Sequence, residues 1–127
     1  MNSSRPTVIV VDDSPSVREF FERAASEFDI ELHCFGSAAD ATEYLSDNTP
    51  DLVFLDIIMP DKDGLTFLQE LRKSPRHERT RFVVISSKDY AQDRMTAKDL
   101  GALDFVAKPV TTQQIQSMIT KHTGLEN

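Results

Sequence analysis

Residues 52–64 read LVFLDIIMPDKDG, and the fold turns on this stretch. Leu52 to Leu55 is an apolar run without polar alternation, the pattern of a strand buried on both faces of a parallel sheet. The run stops at Asp56. A carboxylate at the end of such a strand is costly to desolvate unless something there uses its charge. Ile57-Ile58 and Met59-Pro60 follow, then an Asp/Lys/Gly turn opens a helix through Leu65, Leu68 and Leu71 that closes around Lys73-Ser74-Pro75.

The same design recurs on both sides. Thr7 to Val11 is a β-branched run that stops at Asp12-Asp13. Ser14-Pro15 supplies an N-cap and a first-turn proline. Val17, Phe20, Phe21, Ala24, Ala25 and Phe28 then recur at helical spacing. Ile30 to Phe35 is a weaker second strand, and Ser37 caps a short helix through Ala38, Ala41 and Leu45. Phe82 to Ile85 is the fourth strand, ending at Ser86-Ser87. A more polar helix spans roughly 89–100, with Gly101 as its C-terminal stop. Asp104 to Ala107 is a short fifth strand ending at Lys108-Pro109. Thr111 and Gln114 form a capping box before the last helix, whose apolar face is Ile115, Met118 and Ile119. Five strands alternating with five helices predict a doubly wound (βα)5 α/β sandwich with right-handed crossovers, one domain over 1–127 with its core at about 7–121.

In such sheets ligands bind at the carboxyl ends of the strands. Asp12 and Asp13 end the first strand, Asp56 the third, Ser86 the fourth and Lys108 the fifth, so all open onto one edge. Each alone reads as an ordinary strand-end residue; together they form a site. Three carboxylates repel one another unless a cation shares them. All-oxygen ligands favour a hard ion, with partly hydrated Mg2+ the natural candidate. Lys108 adds a point charge for a phosphate and Ser86 a hydroxyl. The set suits an aspartyl phosphate.

Bulk properties narrow the partners. A formal charge of −7 opposes general binding to nucleic acid, whose phosphates would be repelled. Cys34 is the single cysteine, so no internal disulfide forms, which fits a reducing compartment; beside His33, it reads as packing. The opening MNSSRPT has no apolar leader core, and no run is long enough to span a bilayer. A cytoplasmic monomer without membrane contact is expected. His33, His77 and His122 are scattered and suggest neither a phosphotransfer histidine nor a metal ligand. Arg72, Lys73, Arg76, Arg79 and Arg81 around Pro75 read as a solvated loop.

The chain resembles the receiver domain of two-component response regulators, and in size the single-domain, CheY-like members. The likeness covers Val8 to Ile119 and rests on VVDDS at Asp12-Asp13, LDIIMPDKDG at Asp56, VVISS at Ser86 and GALDFVAKP at Phe105 and Lys108. It implies a flavodoxin-like five-stranded parallel sheet in the order 2-1-3-4-5. It implies Asp56 as acceptor of a phosphoryl group from a phosphohistidine on a sensor histidine kinase or phosphotransfer protein. Asp13, Asp56 and the backbone carbonyl of Ile58 would bind Mg2+ directly, with Asp12 acting through water. Lys108 would pair with the phosphoryl group, Ser86 would hydrogen-bond it, and Phe105 would be the aromatic switch residue. Lys108-Pro109 matches a bond that is commonly cis in these domains.

The resemblance further implies a switch, not a turnover enzyme: a domain that catalyses only its own phosphorylation and slow dephosphorylation. Its surface over the fourth helix, fifth strand and last helix, here including Tyr90, Arg94, Lys98, Phe105 and the neighbourhood of Gln114, would signal to a downstream effector or attached output domain. Ser86 replaces the Thr of many relatives and keeps the hydroxyl. Phe105 replaces a common Tyr, so it is expected to rotate without a polar signal at its tip. Ile58 and Lys88 flank the path of a hydrolysing water, and Ile58 has no group to orient it, which predicts a long-lived phosphorylated state. Three other readings compete: an aspartyl-nucleophile phosphohydrolase, which needs an acid where Ile58 stands; a receiver cut from a longer regulator or hybrid kinase; and an unphosphorylated scaffold, which would lack the acids or the lysine.

Overall fold

The computed structural model describes residues 5–125. The elements alternate as β1 (Thr7–Val11), α1 (Pro15–Ala25), β2 (Glu31–Phe35), α2 (Ala38–Leu45), β3 (Leu52–Asp56), α3 (Gly64–Arg72), β4 (Phe82–Ser86), α4 (Ala91–Asp99), β5 (Asp104–Ala107) and α5 (Thr112–Thr123). One sheet runs in the order β2-β1-β3-β4-β5, and every pairing is parallel. The doubly wound architecture and strand order are those expected.

Strand alternation sorts the core into two layers. Ile9, Val11, Val53, Leu55, Phe82 and Val84 face α2, α3 and α4, where Ala41, Leu45, Phe67, Leu68 and Ala97 meet them. Val8, Val10, Leu52, Phe54, Val83 and Ile85 face α1 and α5, against Phe21, Ala24, Ile115 and Ile119. These central-strand side chains are fully buried. Each contributes about 1.5–3 kcal/mol relative to exposure. Phe21 and Phe54 add a tilted aromatic contact at 4.9 Å.

The expected caps form. Ser14 accepts from the Val17 N–H, Ser37 from Asp40 N–H, and Thr111 and Gln114 complete their capping box. Several boundaries differ from expectation: β2 starts at Glu31 and not Ile30, and β3 and β4 each run one residue further, to Asp56 and Ser86. α1 ends at Ala25, and Phe28 packs from the turn beyond it. α4 starts at Ala91, after an extended Tyr90, and Asp89 ahead of it binds Arg94 within the helix.

The basic run around Pro75 is not simply a solvated loop. Pro75–His77 is a single 3-10 turn, and Arg72 ends α3. The Arg72 guanidinium donates to the carbonyls of Leu100, His77, Thr80 and Gly101 at 2.7–3.3 Å, and lies 4.9 Å from the Phe82 ring centroid. It ties the ends of α3 and α4 to the start of β4. His77 is buried and structural, joined to Thr80 Oγ1 at 3.0 Å and to the Leu45 carbonyl at 2.7 Å. Cys34 is half-buried against the α1/α5 layer, and burial pushes its thiol up to about 11, so it stays protonated.

Candidate functional site

Register brings the strand ends together. Val11 pairs with Leu55, Asp56 with Ile85, and Ser86 with Ala107. Asp12, Asp56, Ser86 and Lys108 therefore lie at one height along the carboxyl edge. Alternation then divides them: Asp12, Asp56 and Lys108 continue the positions facing α1 and α5, whereas Ser86 and Phe105 continue those facing α4. The contacts follow this division.

Asp56 is 2% exposed and Asp12 fully buried. Lys108 Nζ lies 2.8 Å from Asp12 Oδ2 and 3.5 Å from Asp56 Oδ2. The Ser14 N–H donates to Asp12 Oδ1 at 2.9 Å, and the Ile58 N–H to Asp56 Oδ1 at 3.4 Å. Asp13 is exposed at the rim, yet it, Asp12 and Asp56 each offer a carboxylate oxygen within 4.8 Å of the others.

The electrostatics are unbalanced. Burial first, and the Asp12 charge second, push Asp56 up from its ordinary 3.8 to about 6, while Lys108 and the Ile58 N–H pull it part of the way back. For Lys108, burial is the largest single influence and acts downward, but Asp12 and Asp56 together more than reverse it, so its pKa is raised. The lysine stays charged. One cation between two buried carboxylates leaves net negative charge, with Asp13 adding more.

The residues fit a metal ion. Asp12 Oδ2 is buried and has Lys108 as a charge partner but no aligned hydrogen bond. Three carboxylates whose oxygens gather within 4.8 Å, with Lys108 as the cation between two of them, suit a hard divalent cation.

Ser86 is fully buried, and its hydroxyl accepts the Lys88 N–H at 3.0 Å. The Lys108-Pro109 bond is cis. Phe105 is partly buried in the α4 layer. Sequence reading missed its cover: the Arg94 guanidinium sits 4.7 Å from the ring centroid. Arg94 is held by Asp89, with Nη2 3.0 Å from Oδ2. Neither the five-residue spacing nor the residue types announce this arrangement. Ile58 is 46% exposed beside the acceptor.

The response regulator receiver domain family matches residues 8–120. The chain belongs to this family. As a receiver domain of the CheY-like type it is a component of two-component signalling. A Vibrio cholerae protein named "Probable cyclic di-GMP phosphodiesterase" is 31% identical over 124 residues, which are 98% of this chain and 27% of that protein. The chain thus spans about a quarter of that relative's length. Among solved structures, the chemotaxis response regulator CheY4 of Vibrio cholerae superposes with a TM-score of 0.85 at 19% identity, covering 93% of this chain and 98% of that one. The phosphorylated cyanobacterial phytochrome response regulator RcpA gives 0.86 at 21% identity, covering 98% and 100%. These two show the shared fold. No helix among the described residues of this receiver domain is long and apolar enough to cross a membrane.

Proposed function

We propose that this receiver domain is a phosphorylation-controlled switch whose acceptor is Asp56, and that it works in the cytoplasm as a monomer. The carrying observation is the buried Asp56 carboxylate, set against Asp12 and 3.5 Å from Lys108, with Asp13 at the rim. A carboxylate oxygen of Asp56 attacks the phosphorus of a phosphohistidine on a sensor histidine kinase or phosphotransfer protein. The new P–O bond forms as the P–N bond breaks, and the electron pair leaves on the imidazole nitrogen. Asp12, Asp13, Asp56 and the Ile58 carbonyl would hold Mg2+. Such an ion would supply positive charge against the carboxylates and against the charge developing on the transferring oxygens. Lys108, already charged, moves its contact from the carboxylates to the phosphoryl oxygens. Ser86 must exchange its local bond with the Lys88 N–H for one to the phosphoryl group, which draws on the loop before α4.

That exchange biases the α4–β5–α5 surface, where Phe105 and its Arg94 cover lie, toward a downstream effector or output domain. On this reading the domain catalyses only its own phosphorylation and slow dephosphorylation. A second reading, a receiver within a longer regulator, is favoured by one observation: the 31%-identical relative is nearly four times as long as the shared stretch.

The test is intact mass after incubation with acetyl phosphate or phosphoramidate and Mg2+. A single phosphate adduct is expected that requires the ion and is absent from Asp56→Asn. A folded, Mg2+-binding protein that gains no adduct from these donors or from kinases would favour a scaffold. The lifetime of the adduct gives a further prediction. Asn at position 58 can orient a water that Ile58 cannot, so Ile58→Asn should speed autodephosphorylation about tenfold. A rate that rises little, or falls, counts against Ile58 as the cause of a long-lived state.

A further inference from the structure

Asp12 is gripped by its main chain as well as its carboxylate. Its N–H donates to the Phe35 carbonyl at 3.0 Å, tying the β1–α1 loop to the end of β2. Its carbonyl accepts from Arg18 Nη1 at 2.7 Å. Arg18 lies in the first turn of α1, where its own N–H donates to the Ser14 carbonyl at 3.1 Å, and its side chain reaches back past the start of the helix. The path it takes is made by Gly36. A Cβ on Gly36 would lie 3.1 Å from Arg18 Nη1, 3.5 Å from Cζ and 3.8 Å from Nη2, so the guanidinium occupies the space a side chain there would fill.

The carbonyl that Arg18 holds belongs to the Asp12–Asp13 peptide group. Asp13 is exposed and, among the described residues, its carboxylate is held by no hydrogen bond or ion pair of its own. With no partner of its own to orient it, the place from which Asp13 can reach the site depends on the main chain that carries it, beginning with this peptide plane. We propose that Arg18, threaded through the space left by Gly36, is a positioning residue that fixes this peptide plane and so aims Asp13 into the divalent-cation site. The proposal rests on the metal-binding reading given above. Groups behind the ligands in metal sites affect affinity by about 10- to 100-fold when removed. Arg18 contributes in this way despite its own positive charge, which by itself would oppose a cation.

The test is calorimetric titration of Mg2+ into the parent, Arg18→Met, Gly36→Val and the double variant. Gly36→Val keeps the arginine and its charge but fills the path. Each single variant should raise the dissociation constant about tenfold, and the double should be no weaker than either single. The amide resonances of Asp13 and Ser14 should move in both. An unchanged or tighter constant in Arg18→Met overturns the proposal, as do additive effects in the double. A lower melting temperature in EDTA with unaltered Mg2+ affinity would make Arg18 merely structural and also overturns it. If Arg18→Met does not fold, Arg18→Lys, with a single ammonium in place of the planar fork, gives the same comparison. A parent that binds no Mg2+ overturns the metal reading and this proposal together, whereas a parent that binds normally beside unaffected variants overturns this proposal alone.

Discussion

Gly64→Ala is expected to lower stability by about 3 kcal/mol or more and to strip the folded fraction of most of its reactivity toward phosphodonors. A Cβ at this position would lie 2.2 Å from the Asp56 carbonyl oxygen, 2.7 Å from Ile57 Cα and 2.9 Å from the Asp56 carbonyl carbon. All three are backbone atoms, so no side chain can yield. Either α3 backs away from the sheet or the end of β3 is displaced. The Gly64 N–H to Ile57 carbonyl bond at 2.7 Å is then lost as well. Overpacking in cores typically costs about 1–3 kcal/mol, and rigid contacts of this kind fall at or beyond the top of that range. In thermal melts in EDTA this corresponds to a drop of roughly 10 °C. Gly124→Ala is the control. Nothing lies within 4 Å of its Cβ position, and only its φ of 75° is unfavourable, so the loss should stay near 1 kcal/mol. Equal melting shifts in the two variants would show that the backbone behind the acceptor is softer than the packing implies.

The second large effect is a gain. Asp56→Asn should stabilise the metal-free protein above pH 6 by up to about 3 kcal/mol. Burial and Asp12 raise the Asp56 pKa from 3.8 to about 6 in the folded protein. Between those two values the folded state holds a proton that the unfolded state has released. Stability therefore falls as pH rises from about 4 to about 6, then carries a constant penalty above that. A shift of this size at 1.36 kcal/mol per pH unit gives the stated figure as an upper limit. The variant has no such proton, so the two proteins should converge near pH 4 and diverge toward pH 7. Urea titrations in EDTA across that range provide the check. Mg2+ should narrow the gap at pH 7 by stabilising the parent more. A gap independent of pH would assign the gain to something other than ionisation of Asp56.

The features legible in the sequence were those set by local rules. Apolar runs gave the strands, Ser14, Ser37 and Thr111 marked helix starts, and polar residues at run ends marked the edge where Asp12, Asp13, Asp56 and Lys108 meet. Strand order came from the resemblance, because periodicity does not say which strands pair. The contacts that escaped join distant segments through one long side chain. Arg72 looked like one of several loop cations, yet it serves carbonyls up to 29 residues away. Asp61 looked like a turn acid, and it caps α2 from across the site through the N–H groups of Ala38 and Ala39. Arg18 and Gly36 carry no mutual signal, since a guanidinium in a vacated space depends on helix and strand already being docked. His77 appeared isolated because its partners, Thr80 and Leu45, are apparent only once the helices are placed.

The two ends of the proposed signal differ in how firmly they are mounted. β3 is flanked by β1 and β4, and every residue in it is buried. β5 lies at the margin of the sheet, joined to β4 alone, and no residue in it is fully buried. Displacing β3 means deforming two ladders and both core layers; displacing β5 means deforming one ladder. Amides of β3 should therefore exchange with solvent only on global unfolding, while those of β5 open through smaller fluctuations. The anchor of Asp56 is a stiff central plank of the molecule. Phe105 and the approach to Lys108 ride on a more pliable edge, so a small force at the first can become a visible displacement at the second.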